Sequence, residues 1–144
     1  MKENYIISVT GVQTVDDQKE TIKLTTAGEY TEENGLCTIR YKEYDNDNPD
    51  ICFDNTVTLE GENIVTIIRR GPAQSRLTLE KGRRHQCHYC TMYGDLMVGV
   101  YTSEIESTLT DNGGTLSAVY TLDFNAGLVS KNEIYIKVTE KEVN

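Results

Sequence analysis

The residues best suited to chemistry lie in one short segment, His85-Gln86-Cys87-His88-Tyr89-Cys90. A C-x-x-C pair holds zinc when a turn brings both sulfurs to one side. Here the flanking alternation predicts a strand, in which positions three apart point to opposite faces. Cys87 then groups with His85 and Tyr89, and Cys90 with His88. The other cysteines, Cys37 and Cys52, are fifteen apart and form no second knuckle. The expected state is four thiols with no metal and no cofactor. Redox use of C-x-x-C places the pair at the start of a helix, which this segment does not predict. The loop Asp45-Asn46-Asp47-Asn48-Pro49-Asp50 begins like a calcium loop. It then fails, with Pro49 at the third ligand position, Asp50 in place of glycine and Thr56 in place of the bidentate glutamate.

Catalytic signatures are missing. The chain has no phosphate-binding glycine loop, nucleophile elbow or His-Glu-x-x-His, and only two histidines to serve as bases. The expectation is a protein that is not an enzyme. A second feature is electrostatic. Between Arg69 and Arg84 stand six cations and one acid, Glu80, in a chain of net charge −9. Such a run is a solvated face or a contact for RNA or another protein. Single-strand binding calls for exposed aromatics beside the charge, and 69–84 contains none. With the net charge also repulsive, nucleic acid is not the expected partner.

These residues need elements to position them. Val, Ile, Thr, Tyr and Phe supply 51 of 144 residues and Ala only four, which excludes an all-α domain. Turn signals recur at Glu33-Asn34-Gly35, Gly61-Glu62-Asn63, Arg70-Gly71-Pro72, Lys81-Gly82, Tyr93-Gly94-Asp95, Asp111-Asn112-Gly113-Gly114 and Asn125-Ala126-Gly127. Between them apolar residues alternate with polar ones, the pattern of half-buried antiparallel strands. Strands are expected at 4–12, 20–31, 36–44, 53–60, 63–70, 74–81, 83–92, 95–102, 104–110, 115–124 and 132–139. The pieces in 95–110 lack an intervening turn, so one bent strand is the alternative. Residues 1–144 read as one domain. An open meander of this length leaves edges that closure into a barrel removes, so a barrel is expected before a sandwich.

The alternation turns several polar residues inward: Tyr30, Tyr41, Glu43, Tyr120 and Arg69, the last two on the faces of Leu122 and Ile67. A buried charge needs a partner, and Glu43 suits Arg69. Two readings stay open, a structural ion pair closing one barrel end and a pocket in the barrel mouth that fixes a small ligand. No apolar run approaches bilayer length, and the first residues lack a signal-peptide pattern. A cytoplasmic protein, away from membranes, is the expectation.

The sequence also resembles the YwiB-like family of small bacterial β-barrels, a domain of unknown function. The resemblance is carried by Gly28-Glu29-Tyr30, Tyr41-Lys42-Glu43, Arg69-Arg70-Gly71 with Arg76, Thr91-Met92-Tyr93-Gly94, Thr102, and Tyr120 to Gly127 leading to Asn132 and Ile134. Met92 stands where members carry proline. The resemblance implies a closed antiparallel calycin-type (lipocalin-like) barrel of eight to ten strands, all-β, in a bacterial cytoplasm. It implies no activity and no site residues.

Overall fold

In the computed structural model, residues 4–45, 47–91, 94–124 and 129–141 are described, the side chains of Cys90 and Thr91 excepted. Asn46 of the acidic loop, Met92, Tyr93 and the Asn125-Ala126-Gly127 turn lie outside them. Ten strands follow one another: β1 (Tyr5–Val15), β2 (Gln18–Glu33), β3 (Leu36–Tyr44), β4 (Cys52–Glu60), β5 (Ile64–Arg70), β6 (Gln74–Glu80), β7 (Arg84–Thr91), β8 (Gly94–Ser107), β9 (Gly114–Phe124) and β10 (Val129–Glu140). Each pairs antiparallel with its neighbours in sequence, and β1 pairs with β10 to close the barrel. No helix occurs among the described residues. The 95–110 region is the bent-strand alternative: β8 is continuous, with a register shift between Thr102 and Glu104. A bulge of this kind bends a strand without ending it.

The alternation read from sequence produces the interior. Ile7, Ile39, Val57, Val65, Leu79, Val98, Val100, Leu116 and Ile136, from eight of the ten strands, are fully buried in one core. The Thr-rich partners Thr38, Thr58, Thr66 and Thr78 form a cross-strand row on the outside, where a β-branched hydroxyl suits a pleated, wetted surface. Closing so small a cylinder brings backbones close together. At buried Gly28 of β2, an added Cβ would lie 2.5 Å from the Arg40 carbonyl oxygen and 2.7 Å from Ile7 Cγ1. Glycine lets β2 pass from β1 to β3 here, since β2 pairs with β1 up to Gly28 and with β3 from Gly28 onward.

One seam is thin. β6 and β7 share two paired positions, Gln74 with Cys90 and Ser75 with Tyr89. Farther along, the Thr78 N–H donates to the Cys87 thiol at 3.4 Å, a side chain standing where a ladder carbonyl would be.

The two barrel ends differ. At one end the termini meet, with the Lys141 N–H donating to the Asn4 carbonyl, and the 108–113 turn folds across the opening. Leu109 packs on the core, and the Tyr30 hydroxyl donates to the Thr110 carbonyl at 2.5 Å. Tyr5 meets Tyr30 edge to face at 5.4 Å. This end is closed. At the other end, where the β1–β2, β3–β4 and β5–β6 connections lie, no turn among the described residues folds across the opening.

Two substitutions test this construction in urea denaturation. Gly28→Ala is expected to cost about 1–3 kcal/mol by overpacking, and an unchanged midpoint would contradict the close crossing. Tyr30→Phe is expected to cost about 1 kcal/mol, the net value of one hydrogen bond.

Candidate functional site

The open end is built from a polar row that crosses the sheet. Registers place Tyr41 opposite Asn55, Asn55 opposite Arg69, Arg69 opposite Ser75, and Ser75 opposite Tyr89. All five continue the inward face of their strands, so the row rings the inside of the wall above the apolar core. Glu43, one step nearer the rim, accepts from Arg69 Nη2 at 3.3 Å and from Asn55 Nδ2 at 3.4 Å. The Arg69 guanidinium also lies over the Phe53 ring, 3.8 Å from its centroid. A cation held by a ring face and a carboxylate keeps a fixed place while remaining about one-third exposed, 37% for Arg69 and 34% for Glu43. A pair so exposed adds little to stability, about 1 kcal/mol at most.

From the far wall come Tyr120 and Asn132, which face each other across β9 and β10. Asn132 is buried and donates to Ser130 Oγ at 3.0 Å. Tyr89 packs edge to face on Phe124 at 6.4 Å. Burial pushes the Tyr41 phenol up to about 12, with the Glu43 carboxylate adding to the shift and Arg69 opposing it. Burial, and then Tyr89, push Tyr120 up to about 12 as well. Thr102, opposite Tyr120, is fully buried, and its Oγ1 has no hydrogen-bond partner among the described residues. Between these walls lies a cavity of about 260 Å³ that opens at this end, lined by Arg69, Ser75, Tyr89, Tyr120 and Asn132 above Ile67, Leu77, Leu122 and Ile134. Ile22, Tyr44, Leu96 and Val129 are exposed around the same end.

Of the five residues singled out from sequence, Arg69 and Tyr120 line the cavity, while Tyr41 and Glu43 stand on the polar row beside Arg69 without lining it. Tyr30 is inward but sits at the closed end, where burial and the neighbouring Cys37 raise its phenol far above the ordinary value. Asn55, Ser75, Tyr89 and Asn132 complete the mouth. Their inward parity was readable, but their strand partners were not. In the histidine–cysteine segment β7 runs in unbroken register from Arg84 to Thr91, Cys87 is buried and His88 is exposed. His85 Nε2 lies 3.0 Å from Glu80 Oε1. Among the described residues no three His, Cys, Asp or Glu side chains converge as metal ligands. In the acidic loop, Asp45 Oδ1 accepts the Asp47 N–H at 2.8 Å and Asn48 Oδ1 the Asp50 N–H at 3.1 Å, turn bonds that hold the loop's own backbone.

The molecule is thus a closed ten-stranded meander barrel with one sealed end and one tyrosine-lined mouth. The family profile described as Domain of unknown function (DUF1934) matches residues 7–136, and the chain belongs to this family. The fold is that of the crystal structure of ywiB protein from Bacillus subtilis, with a TM-score of 0.75 at 23% identity over 95% of this chain and 94% of that one. No match to a curated protein is found. No helix among the described residues is long and apolar enough to cross a membrane.

The raised phenols give a measurable consequence. A phenol whose folded value exceeds the unfolded 10.0 contributes stability that is complete below pH 10 and lost as pH rises through the folded value, here about 12. Absorbance at 295 nm is expected to show a late-titrating group of tyrosines, with unfolding midpoints falling between pH 10 and 12. Tyr41→Phe and Tyr120→Phe should each remove part of the late amplitude. Titration of every tyrosine near 10 would show these rings to be hydrated.

Proposed function

We propose that the protein binds a compact small molecule in the open mouth of the barrel and catalyses no reaction on it. The observation that carries this reading is the cavity of about 260 Å³ at the end opposite the 108–113 turn. That volume lies just under the range of about 300–1,000 Å³ of drug-sized pockets, so the guest is small. Its walls divide by chemistry. Ile67, Leu77, Leu122 and Ile134 receive an apolar or aromatic body, while Arg69, Asn132 and the phenols of Tyr89 and Tyr120 meet a polar end.

Preorganisation supports the reading. Phe53 and Glu43 hold Arg69 in place before any guest arrives, so binding does not have to freeze a free arginine. The Thr102 hydroxyl, buried without a partner among the described residues, is a further polar group facing the interior.

Native mass spectrometry of freshly purified protein, combined with a thermal-shift panel of small aromatic and aliphatic acids, amines and alcohols, tests the proposal. The expected result is a co-purifying mass, or a rise in melting temperature with one chemical class, that Leu77→Arg abolishes by filling the cavity. Protein that carries no added mass and responds to no class would overturn it.

A further inference from the structure

The basic run between Arg69 and Arg84 does not fold into one patch. Arg69 turns inward to Glu43, Arg83 lies 3.6 Å from Glu80, and Arg84 forms two bonds to Asp123 at 2.5 and 2.7 Å. Gly99 of β8 makes room for that last pair, because a side chain there would collide with the Arg84 guanidinium. Arg70 and Arg76 remain outside, and folding adds two cations from β3. Lys42, Asp54 and Arg70 form one cross-strand row; Arg40, Thr56, Ile68 and Arg76 form the next. At about 4.8 Å per strand, the second row spans about 14 Å. Arg40, Lys42, Arg70 and Arg76 are all exposed, and none forms an ion pair among the described residues.

The surface over these rows is concave. A groove of about 500 Å³ is bordered by Arg40, Lys42, Asp54 and Arg70, with Glu29 at its side. A second, of about 180 Å³, is bordered by Arg70, Arg76 and His88, so Arg70 joins the two. Tyr44, two residues beyond Lys42 on the same face, is 58% exposed. The stacking ring missing from 69–84 is thus supplied by β3.

We propose that this outer groove binds a short stretch of single-stranded RNA. Phosphates lie on Arg40, Lys42, Arg70 and Arg76, and a base stacks on Tyr44. The interleaved carboxylates select the polymer. Asp54 and Glu29 repel an acidic peptide, whose ionised side chains have no proton to donate, but they accept hydrogen bonds from ribose 2′-hydroxyls. The net charge of −9 opposes contact less than its size suggests, since at physiological salt acids more than about 8 Å away are largely screened.

Fluorescence anisotropy of the full chain with a 5′-fluorescein 12-nucleotide RNA of mixed A and U tests this. Binding is expected in 50 mM salt, weakening about 20- to 50-fold by 200 mM as three or four phosphate contacts release counterions with a slope near 0.7 each. Tyr44→Ala should weaken it by about fivefold or more, the low end of one lost stacking contact. The double variant Arg70→Glu with Arg76→Glu should abolish it, and Arg40→Gln with Arg76→Gln, which adds no new charge, should weaken it at least tenfold. Arg83→Glu, at the closed end, should leave it unchanged. Circular dichroism confirms that each variant is folded. Absence of binding in 50 mM salt, equal affinity for DNA of the same sequence, competition by polyglutamate as effective as by unlabelled RNA, or unchanged binding in both double variants would each overturn the proposal.

Discussion

The pairing of the first strand with the last is the constraint on which the rest of the molecule depends. Tyr5 to Thr14 run alongside Lys131 to Glu140, so the two ends of the chain must meet before the cylinder has an inside. Every other neighbour relation is local, made by a hairpin. This one spans almost the whole sequence, and the entropy of closing it precedes the contacts that reward it. Until it forms, the hairpins have an apolar face with nothing opposite. Once it forms, Tyr120 and Asn132 are carried round to face Arg69 and Tyr89, and the mouth exists.

The same cylinder treats its ends unequally, and tyrosine shows how. At the sealed end Tyr30 has a carbonyl to bind, and its ring rests against Tyr5, so it acts as a structural stopper. At the open end Tyr41, Tyr89 and Tyr120 sit in similar rings of the wall around a space instead of a loop. The residue type is one and the inward parity is the same. What differs among the described residues is the turn 108–113, which covers the ring at one end and has no counterpart at the other.

Much of this was legible because strand parity is a strict period of two. Tyr41, Glu43, Arg69 and Tyr120 follow apolar residues at even spacing, and their inward direction needed no structure. The Glu43–Arg69 pair was legible too, since two inward charges of opposite sign two strands apart have little else to pair with. Parity does not specify height along the barrel axis, so it could not separate Tyr30 from the other tyrosines. Nor could it disclose Asn55 or Asn132, because a polar residue on an inward face is read as an exception until its cross-strand neighbours are known. The layout of the basic run was hidden for a related reason. Nearness in sequence put Arg69, Arg76 and Arg84 together, whereas strand direction and parity sent them to different faces. Arg40 and Arg76, far apart in the chain, then came to the two ends of one cross-strand row over four aligned strands. In the C-x-x-C segment the backbone keeps the strand register the alternation predicts, Arg84 to Thr91 pairing with β8 without a bulge.

The short ladder between β6 and β7 gives the cylinder a mechanical direction. A tube whose staves are equally bonded resists splaying everywhere. Here one joint has two paired positions and a thiol taking the Thr78 amide, with the bonds of Gly82 and Arg83 to Thr102 tying its closed end, so it is the least bonded joint of the wall. The barrel behaves as a slit sleeve, with β7 to β10 and β1 on one lip and β2 to β6 on the other, hinged where β1 and β2 are paired over eleven positions. Ser75 and Tyr89, the last rung of the slit, also line the mouth. Widening of the seam would therefore enlarge the cavity as well, without undoing the closure between the first strand and the last.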